Sequence, residues 1–288
     1  MQLLSITWDV SPELINIGPL AVRWYGLMFA IGFLVGYIIV ARMFKHEGAP
    51  EKWLGTLLIY LIVATVVGAR LGHVIFYEWD YYSQHLTEIP KIWNGGLASH
   101  GGAIACMLAV CLFSWFTAHK PISWTMDKVV IPIALTGGLI RLGNLMNSEI
   151  YGTQTDLPWG FIFVRNGETL PMHPTQLYEA LAYFILFALL MWMYWKRNAE
   201  ERPYLITGVF FFWVFTARFF IEFVKNPQEE WERDMVLNMG QILSIPFIIF
   251  GLYCIVYAMI RPRQHFDFPN QFADAPAVEK KAAKAVKK

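Results

Sequence analysis

The segment WLGTLLIYLIVATVVGARLGHVIF, Trp53–Phe76, holds one charged side chain, Arg70, in an otherwise apolar run. An α-helix needs about 20 apolar residues to cross roughly 30 Å of hydrocarbon. The segment is long enough for this, and it therefore predicts a transmembrane helix with an arginine inside it.

Six further apolar blocks of similar length follow the same pattern. The seven blocks are Ile17–Val40, Trp53–Phe76, Gly95–Ala118, Val129–Asn147, Gln176–Trp195, Tyr204–Val224 and Val236–Ile260. The chain is 56% hydrophobic and only 16% charged, whereas soluble domains average about 25% charged residues. We therefore expect an all-α integral membrane protein with seven transmembrane helices.

The basic residues between the blocks predict the orientation, because short cytoplasmic loops accumulate Lys and Arg. One side carries Arg42, Lys45, Lys52, Lys120, Lys128, Lys196, Arg197, Arg202, Arg261, Arg263, Lys280, Lys281, Lys284, Lys287 and Lys288. The other carries only Lys91, Arg165, Lys225 and Arg233. We expect the N-terminus in the periplasm and the C-terminus in the cytoplasm.

Three segments are expected from this pattern. Residues 1–16 form a periplasmic N-terminal segment, and residues 17–261 form the transmembrane domain. Residues 262–288 are rich in Ala and Lys and poor in large apolar residues. Such a segment cannot bury enough apolar surface to fold, so it is expected to be a disordered basic tail.

Three arginines lie within the apolar blocks: Arg70, Arg141 and Arg218. A charge at the bilayer centre costs at least ~2.5–3.5 kcal/mol unless it meets a partner or a wet cavity, so each marks a potential functional site. Arg218 has Glu222 four residues later, which permits a helical salt bridge. Arg70 lies close to a helix end, where it can snorkel. Arg141 has no acid at helical spacing, which favours a ligand anion.

Loops beside these helices contain further polar residues and glycines. WNGGLASHGG (Trp93–Gly102) places His100 between two glycine pairs, where backbone can approach a ligand closely. NSEIYG (Asn147–Gly152) and MHPTQLYE (Met172–Glu179) flank the longest outer loop. These polar motifs are expected at the same end of the membrane.

The segment GLIRLGNLMNSEIYG, Gly138–Gly152, resembles the signature of the prolipoprotein diacylglyceryl transferases of bacterial inner membranes. Other blocks resemble that family in the same order along the chain. They are RWYGLMF (Arg23–Phe29), GARLGHVIFY (Gly68–Tyr77), WNGGLASHGG, HPTQLYE, the ARFFIEF run with its proline (Ala217–Pro227) and MGQILSIP (Met239–Pro246).

The resemblance implies a reaction without a cofactor and without nucleic acid. The diacylglyceryl group of phosphatidylglycerol moves to the thiol of the lipobox cysteine in a prolipoprotein signal peptide, and glycerol 1-phosphate leaves. The partners are then phosphatidylglycerol, the prolipoprotein and membrane lipids, and the location is the bacterial inner membrane. The sulfur must attack an sp³ carbon while a phosphate departs, which requires a thiolate and positive charge on the leaving group.

Candidate residues exist for both tasks. His100 is the candidate base, because an imidazole titrates near pH 6.5. Arg141 and Arg218 are the candidate phosphate clamps, since a guanidinium bonds phosphate oxygens bidentately. The expected substrate-binding residues are Tyr25, Arg70, Asn144, Asn147, Glu149, Gly152, His173, Gln176, Glu179 and Glu222, and no metal site is expected. The rivals of His100 as base are His73 and His173.

Two other classes of function remain open from the residues. A transporter or channel for a small anion would also use three arginines, but it needs a polar path through the whole membrane. A non-catalytic scaffold that binds phospholipid would need no base near the head group. Turnover with a lipobox peptide separates the enzyme from both.

Overall fold

The computed structural model describes residues 5–17, 20–226, 235–266 and 268. Within these ranges seven helices are long and apolar enough to cross a membrane. The spans are Trp24–Glu47, Glu51–Phe76, Ser99–Ala118, Ile122–Met146, Thr175–Arg197, Leu205–Val224 and Met239–Ile260, numbered α1 to α7. The prediction of a seven-helix membrane protein is confirmed, and the orientation of the termini stays a prediction.

In the part of the chain that the structure describes, four short strands accompany the helices, and the all-α expectation does not include them. Strand β2 (Glu13–Ile17) pairs antiparallel with β3 (Leu20–Arg23), so α1 begins at Trp24 rather than at Ile17. Strand β1 (Ile6–Trp8) pairs parallel with β4 (Phe161–Phe163).

Strand β1 is also held by its terminal tryptophan. The Trp8 indole donates to the Leu145 carbonyl at 3.0 Å, and its ring centroid lies 5.2 Å from that of Phe161. The N-terminal segment is therefore attached to the folded protein by strand pairing and by an aromatic contact.

Among the other helix starts, those of α3 and α4 differ most from the expected ones. Helix α3 begins at Ser99, because Gly95 and Gly96 have φ of 86° and 73°, which a right-handed helix cannot contain. Helix α4 begins at Ile122, so Asp127 and Lys128 lie inside a helix and are buried. The assignment of Lys128 to a cytoplasmic loop is therefore wrong.

The buried Asp127 carboxylate has a clear structural role. Its two oxygens accept hydrogen bonds from the Tyr204 N–H, the Thr207 N–H and the Thr207 hydroxyl at 2.6–2.8 Å. These donors lie at the start of α6, where backbone N–H groups have no partner within the helix. Asp127 therefore caps α6 from a neighbouring helix.

The chain divides into two compact units. Unit 1 contains residues 1–39 and 126–264, and unit 2 contains residues 40–125 and 265–288. In unit 1, α6 packs on α5 and α7. In unit 2, α2 packs on α3. The expected tail begins at residue 262, and apart from residues up to 266 and residue 268 it lies outside the described residues.

Candidate active site

Arg141 lies near the C-terminal end of α4 and is held by three side chains. Its Nε forms an ion pair with Glu179 on α5, and its Nη1 donates to the Asn144 amide oxygen at 3.3 Å. The Tyr183 hydroxyl, one helical turn beyond Glu179, also interacts electrostatically with this guanidinium. The acid that the Arg141 helix lacks is therefore supplied by the neighbouring helix.

Glu179 connects Arg141 to a second buried cation. Its other oxygen lies 3.2 Å from Lys225 Nζ, and Lys225 Nζ lies 3.6 Å from Glu222 Oε2. The side chains of Glu179, Lys225 and Glu222 are 2%, 4% and 7% exposed. We call Arg141, Glu179, Lys225 and Glu222 the charge network. Its charges alternate in sign, so each buried ion has a compensating neighbour, as burial of charge requires.

Arg218 lies on α6, one turn before Glu222, but it is not part of this network. Among the described residues, its Nε is buried and has no hydrogen-bond partner. The alternative of an Arg218–Glu222 salt bridge is wrong, because the Glu222 carboxylate pairs with Lys225 instead. A buried donor without a partner costs about 1–3 kcal/mol, and such groups in native structures call for a specific explanation. Arg218 is thus a cation available for an anionic ligand.

The signature loop, Asn147–Gly152, follows α4 directly and presents Glu149. The amide nitrogens of Asn144 and Asn147 both donate to Glu149 Oε1, at 2.9 Å and 3.0 Å. Asn144 therefore joins Arg141 to the Glu149 carboxylate, since its amide oxygen accepts from one while its nitrogen donates to the other. Four of the candidate site residues, Arg141, Asn144, Asn147 and Glu149, are therefore joined by hydrogen bonds.

The backbone of the signature loop is strained and firmly held. Ser148 and Ile150 have φ of 55° and 61°, and a left-handed conformation costs a residue other than glycine about 1–3 kcal/mol. Three consecutive carbonyls of the loop each accept a side-chain hydrogen bond. The donors are Asn166 to Ser148, Gln176 to Glu149 and Thr175 to Ile150, at 2.6, 2.7 and 2.9 Å. Such strain persists only where the surroundings determine the conformation, and it clusters at functional sites.

Gly152 connects the signature loop to the segment that carries Lys225. Its N–H donates to the His173 carbonyl at 2.8 Å, and its carbonyl accepts from the Asn226 amide at 3.0 Å. Gly152 also forms a β-bridge with Lys225. The loop after α4 and the end of α6 are therefore fixed to each other by backbone pairing.

Tyr25 and His173 complete the site in unit 1. The Tyr25 hydroxyl interacts electrostatically with Glu149 and Arg141, and the start of α1 packs against Gly143. His173 Nδ1 lies 3.2 Å from the Tyr178 hydroxyl. Burial lowers the pKa of His173 below its usual value, so this imidazole stays neutral at neutral pH.

Unit 2 contains the other two candidates, Arg70 and His100. Arg70 is 3% exposed, and its guanidinium donates five hydrogen bonds to the loop that follows α2. A snorkelling Arg70 is therefore excluded. His100 lies in the first turn of α3 and is exposed. Its ring centroid lies 5.2 Å from that of Phe76 and 5.6 Å from that of Tyr77.

Comparison with known proteins gives a consistent result. The family model of prolipoprotein diacylglyceryl transferase matches residues 12–257. A phosphatidylglycerol–prolipoprotein diacylglyceryl transferase of Chloroherpeton thalassium is 46% identical over 250 residues, which cover 87% of this chain and 93% of the relative. The enzymes of that name from Porphyromonas gingivalis and Tolumonas auensis are 46% and 48% identical. The matches cover 89% and 85% of this chain and 96% and 94% of those relatives.

The chain belongs to the prolipoprotein diacylglyceryl transferase family. The residues that resemble the family signature, Gly138–Gly152, form the end of α4 and the signature loop of this transferase. The segment that resembles the HPTQLYE block begins α5, and it contributes Gln176 and Glu179 to the same site.

Several residues of this transferase site are not predicted by the sequence. The charge pattern places Lys225 among the outer-loop cations, but it is 6% exposed and joins two carboxylates. Tyr183, Thr175 and Asn166 escape prediction because their partners come from other elements. One signal in the sequence could have indicated a role for Lys225. This residue lies inside the block Ala217–Pro227, which resembles the family.

Replacing Gly152 with alanine is expected to abolish activity and to destabilise the transferase. A Cβ at this position would overlap the Val224 carbonyl oxygen and lie 2.8 Å from His173 Cβ, so the pairing with the Lys225 segment must open. Activity and the thermal unfolding midpoint should both be measured in detergent. The control is Gly55→Ala, because Gly55 lies within α2 and a Cβ added there would meet nothing within 4 Å. An active, fully stable Gly152→Ala enzyme would contradict this account.

Proposed function

We infer that the protein transfers the diacylglyceryl group of phosphatidylglycerol to the lipobox cysteine of prolipoproteins, the first step of lipoprotein maturation. Family membership supports this inference. The observation that carries it is the arrangement of cations in unit 1. The charge network holds Arg141 in place and is balanced within itself, while the Arg218 Nε has no partner among the described residues.

The reaction breaks one C–O bond and forms one C–S bond. The cysteine sulfur attacks the glycerol sn-3 carbon of phosphatidylglycerol, and the bond from that carbon to the phosphate oxygen breaks. The electron pair leaves with glycerol 1-phosphate, and the thiol proton goes to a base. No acyl ester is cleaved, so an oxyanion hole for a tetrahedral intermediate has no role. The barrier is lowered by cations on the departing phosphate.

Arg141 and Arg218 supply this positive charge. A guanidinium has five N–H groups, and the bonds from Arg141 to Glu179 and Asn144 leave three of them for phosphate oxygens. Glu179 holds the guanidinium from one edge, so that Arg141 is oriented before substrate binds. Such preorganisation reduces the cost of aligning the donor during the reaction.

The signature loop binds the free glycerol of the head group. Glu149 is exposed, and both of its amide donors meet a single oxygen, Oε1. The other carboxylate oxygen is available to accept from glycerol hydroxyls. The amide oxygen of Asn147 has no protein donor among the described residues, so it too can accept from a hydroxyl. This arrangement suits a head group that carries hydroxyl donors.

The protein is a multi-pass membrane protein, and we place it in the bacterial cytoplasmic membrane. A two-tailed lipid substrate cannot leave the bilayer easily, so the site must open sideways to lipid. The prolipoprotein substrate is membrane-inserted through its signal peptide, which brings the lipobox cysteine to the same membrane surface.

The experiment that tests this function uses the purified protein in nanodiscs that contain phosphatidylglycerol. A peptide with a lipobox cysteine should gain the mass of one diacylglyceryl group, and the same peptide with serine should not. Phosphatidylethanolamine in place of phosphatidylglycerol should support much slower transfer. Binding of phosphatidylglycerol without any modified peptide would instead indicate a non-catalytic scaffold, and anion flux without transfer would indicate a channel.

His100 is proposed as the base that takes the thiol proton. A free thiol with a pKa near 8.5 is only a few per cent thiolate at neutral pH. General base catalysis contributes about 10²–10⁴-fold. We expect His100→Asn to lose activity in this range at pH 7 and to regain part of it near pH 9, where the thiol ionises unaided.

The wild-type rate should fall at acidic pH, because a protonated imidazole cannot accept a proton. Initial rates between about pH 5.5 and 9.5 measure both profiles. A His173→Asn variant is the control, since His173 is a rival candidate. An unchanged rate and profile for His100→Asn would leave the arginines alone responsible for thiol activation.

A further inference from the structure

The strongest feature without a role in the proposed mechanism is the contact between Arg70 and the loop between α2 and α3, Glu78–Ala98. Arg70 Nε donates to the Ile89 carbonyl at 2.7 Å. Nη1 donates to the carbonyls of Gly95 and Gly96, at 2.7 and 3.2 Å. Nη2 donates to the Glu88 carbonyl at 2.9 Å and to the Tyr82 hydroxyl at 3.2 Å.

These bonds use every N–H group of the guanidinium. An arginine has five such groups, and the loop accepts five hydrogen bonds. The Tyr82 ring adds a cation–π contact, with its centroid 4.9 Å from Arg70 Cζ. In this arrangement Arg70 has no donor left for a phosphate. The expectation that Arg70 binds the substrate directly is therefore not supported by its contacts.

The contact with Gly95 and Gly96 places Arg70 next to the start of α3. Both glycines have positive φ, and a Cβ at Gly96 would lie 2.8 Å from Arg70 Nη1 and 2.5 Å from the His73 ring. Only glycine allows the backbone to come this close. Two residues later, the Ala98 N–H donates to the Ala69 carbonyl at 2.9 Å.

The start of α3 is fixed against α2 on the same side. A Cβ at Gly101 would overlap the Gly68 carbonyl oxygen and lie 2.6 Å from Gly72 Cα, so the two helices touch backbone to backbone. His100 lies between this contact and the Gly95–Gly96 turn. Its position is therefore set by the turn that Arg70 holds and by the glycine contact.

We propose that Arg70 is a positioning residue, which holds the Gly95–Gly96 turn and thereby fixes where His100 stands. This inference rests on the proposed function of His100 as the base. It predicts that loss of Arg70 acts on the chemical step rather than on phosphatidylglycerol binding. A displacement of about 1 Å in a catalytic group costs about 10²-fold in rate.

The test compares Arg70→Met, Arg70→Lys and Gly96→Ala with wild type in nanodiscs of varied phosphatidylglycerol content. We expect kcat to fall by about 10²-fold in all three, with KM for phosphatidylglycerol within about twofold. Gly96→Ala disturbs the turn without removing a charge. It therefore still tests the inference if the Arg70→Met protein does not accumulate in the membrane. Arg263→Met is the control, because Arg263 is an exposed arginine paired with Glu201. It should behave as wild type.

A double variant shows whether Arg70 acts through His100. We expect Arg70→Met combined with His100→Asn to be no slower than the slower single variant, within about twofold, because residues that act as a unit are not additive.

Trypsin should also cut faster after Lys91, in the loop, once Arg70 is replaced.

If the wild-type protein modifies the peptide, three results would overturn the inference about Arg70. They are a tenfold or larger rise in KM with kcat unchanged, losses that multiply in the double variant, and a wild-type kcat for Gly96→Ala. A wild type that makes no modified peptide would instead overturn the proposed function itself. The two failures are therefore distinguishable.

Discussion

Replacing Arg141 with alanine is expected to lower diacylglyceryl transfer by about 10²–10³-fold or more, the usual cost of removing one preorganised donor. Lysine should restore little, because a point charge cannot reproduce the fork that binds phosphate bidentately. The protein should still fold, since Glu179 keeps its second partner, Lys225, at 3.2 Å. Transfer to a lipobox peptide and the unfolding midpoint in detergent measure the two effects.

The matched control for Arg141 is Arg165→Ala. Arg165 is an exposed arginine of the same unit, on the short helix Val164–Asn166. It should leave both measurements unchanged. Near-normal turnover in Arg141→Ala would mean that this arginine only organises the charge network.

Replacing Arg218 with methionine is expected to lower activity by about 10²–10³-fold without lowering stability. Its Nε is buried without a partner among the described residues, so methionine removes an unsatisfied donor rather than a stabilising contact. A loss of activity together with unchanged or raised stability is the mark of a residue that is present for its ligand.

Lys225→Met provides the comparison, because it also replaces a cationic side chain with methionine, a short distance along the chain. Lys225 compensates both Glu179 and Glu222, and breaking a buried pair costs about 3–5 kcal/mol. Lys225→Met should therefore unfold at clearly lower temperature than Arg218→Met. Equal destabilisation by the two substitutions would show that Arg218 has a structural partner.

Hydropathy is sufficient to predict the helices, because each must cover the membrane with apolar residues. Their ends are harder to predict. The hairpin Glu13–Ile17 with Leu20–Arg23 ends in residues as apolar as the helix that follows, so hydropathy places the start of α1 too early. The charge pattern assigns Lys128 to a loop, because lysines are usually found outside the apolar part of a helix. The structure shows that Lys128 is buried inside a helix, and its local sequence gives no sign of this.

Much of the unit 1 site follows from the sequence, but its pairings do not. Helical spacing relates residues within one helix, so it suggests Glu222 as the partner of Arg218. The structure pairs Glu222 with Lys225 and pairs Arg141 with Glu179 on a different helix. The sequence analysis also groups Arg70 with the substrate-binding residues. A sequence shows that an intramembrane arginine needs partners, but not that a loop of backbone carbonyls supplies them.

Isotope labelling tests the proposed attack at carbon by following the oxygen that joins the glycerol sn-3 carbon to phosphorus in phosphatidylglycerol. Labelling this oxygen with oxygen-18 distinguishes attack at carbon from every acyl or phosphoryl transfer. We expect one unlabelled diacylglyceryl thioether peptide for each glycerol 1-phosphate released, with the label in that phosphate. Label retained with the diacylglyceryl group, or a modified peptide that loses its lipid to mild alkali as a thioester does, would contradict it.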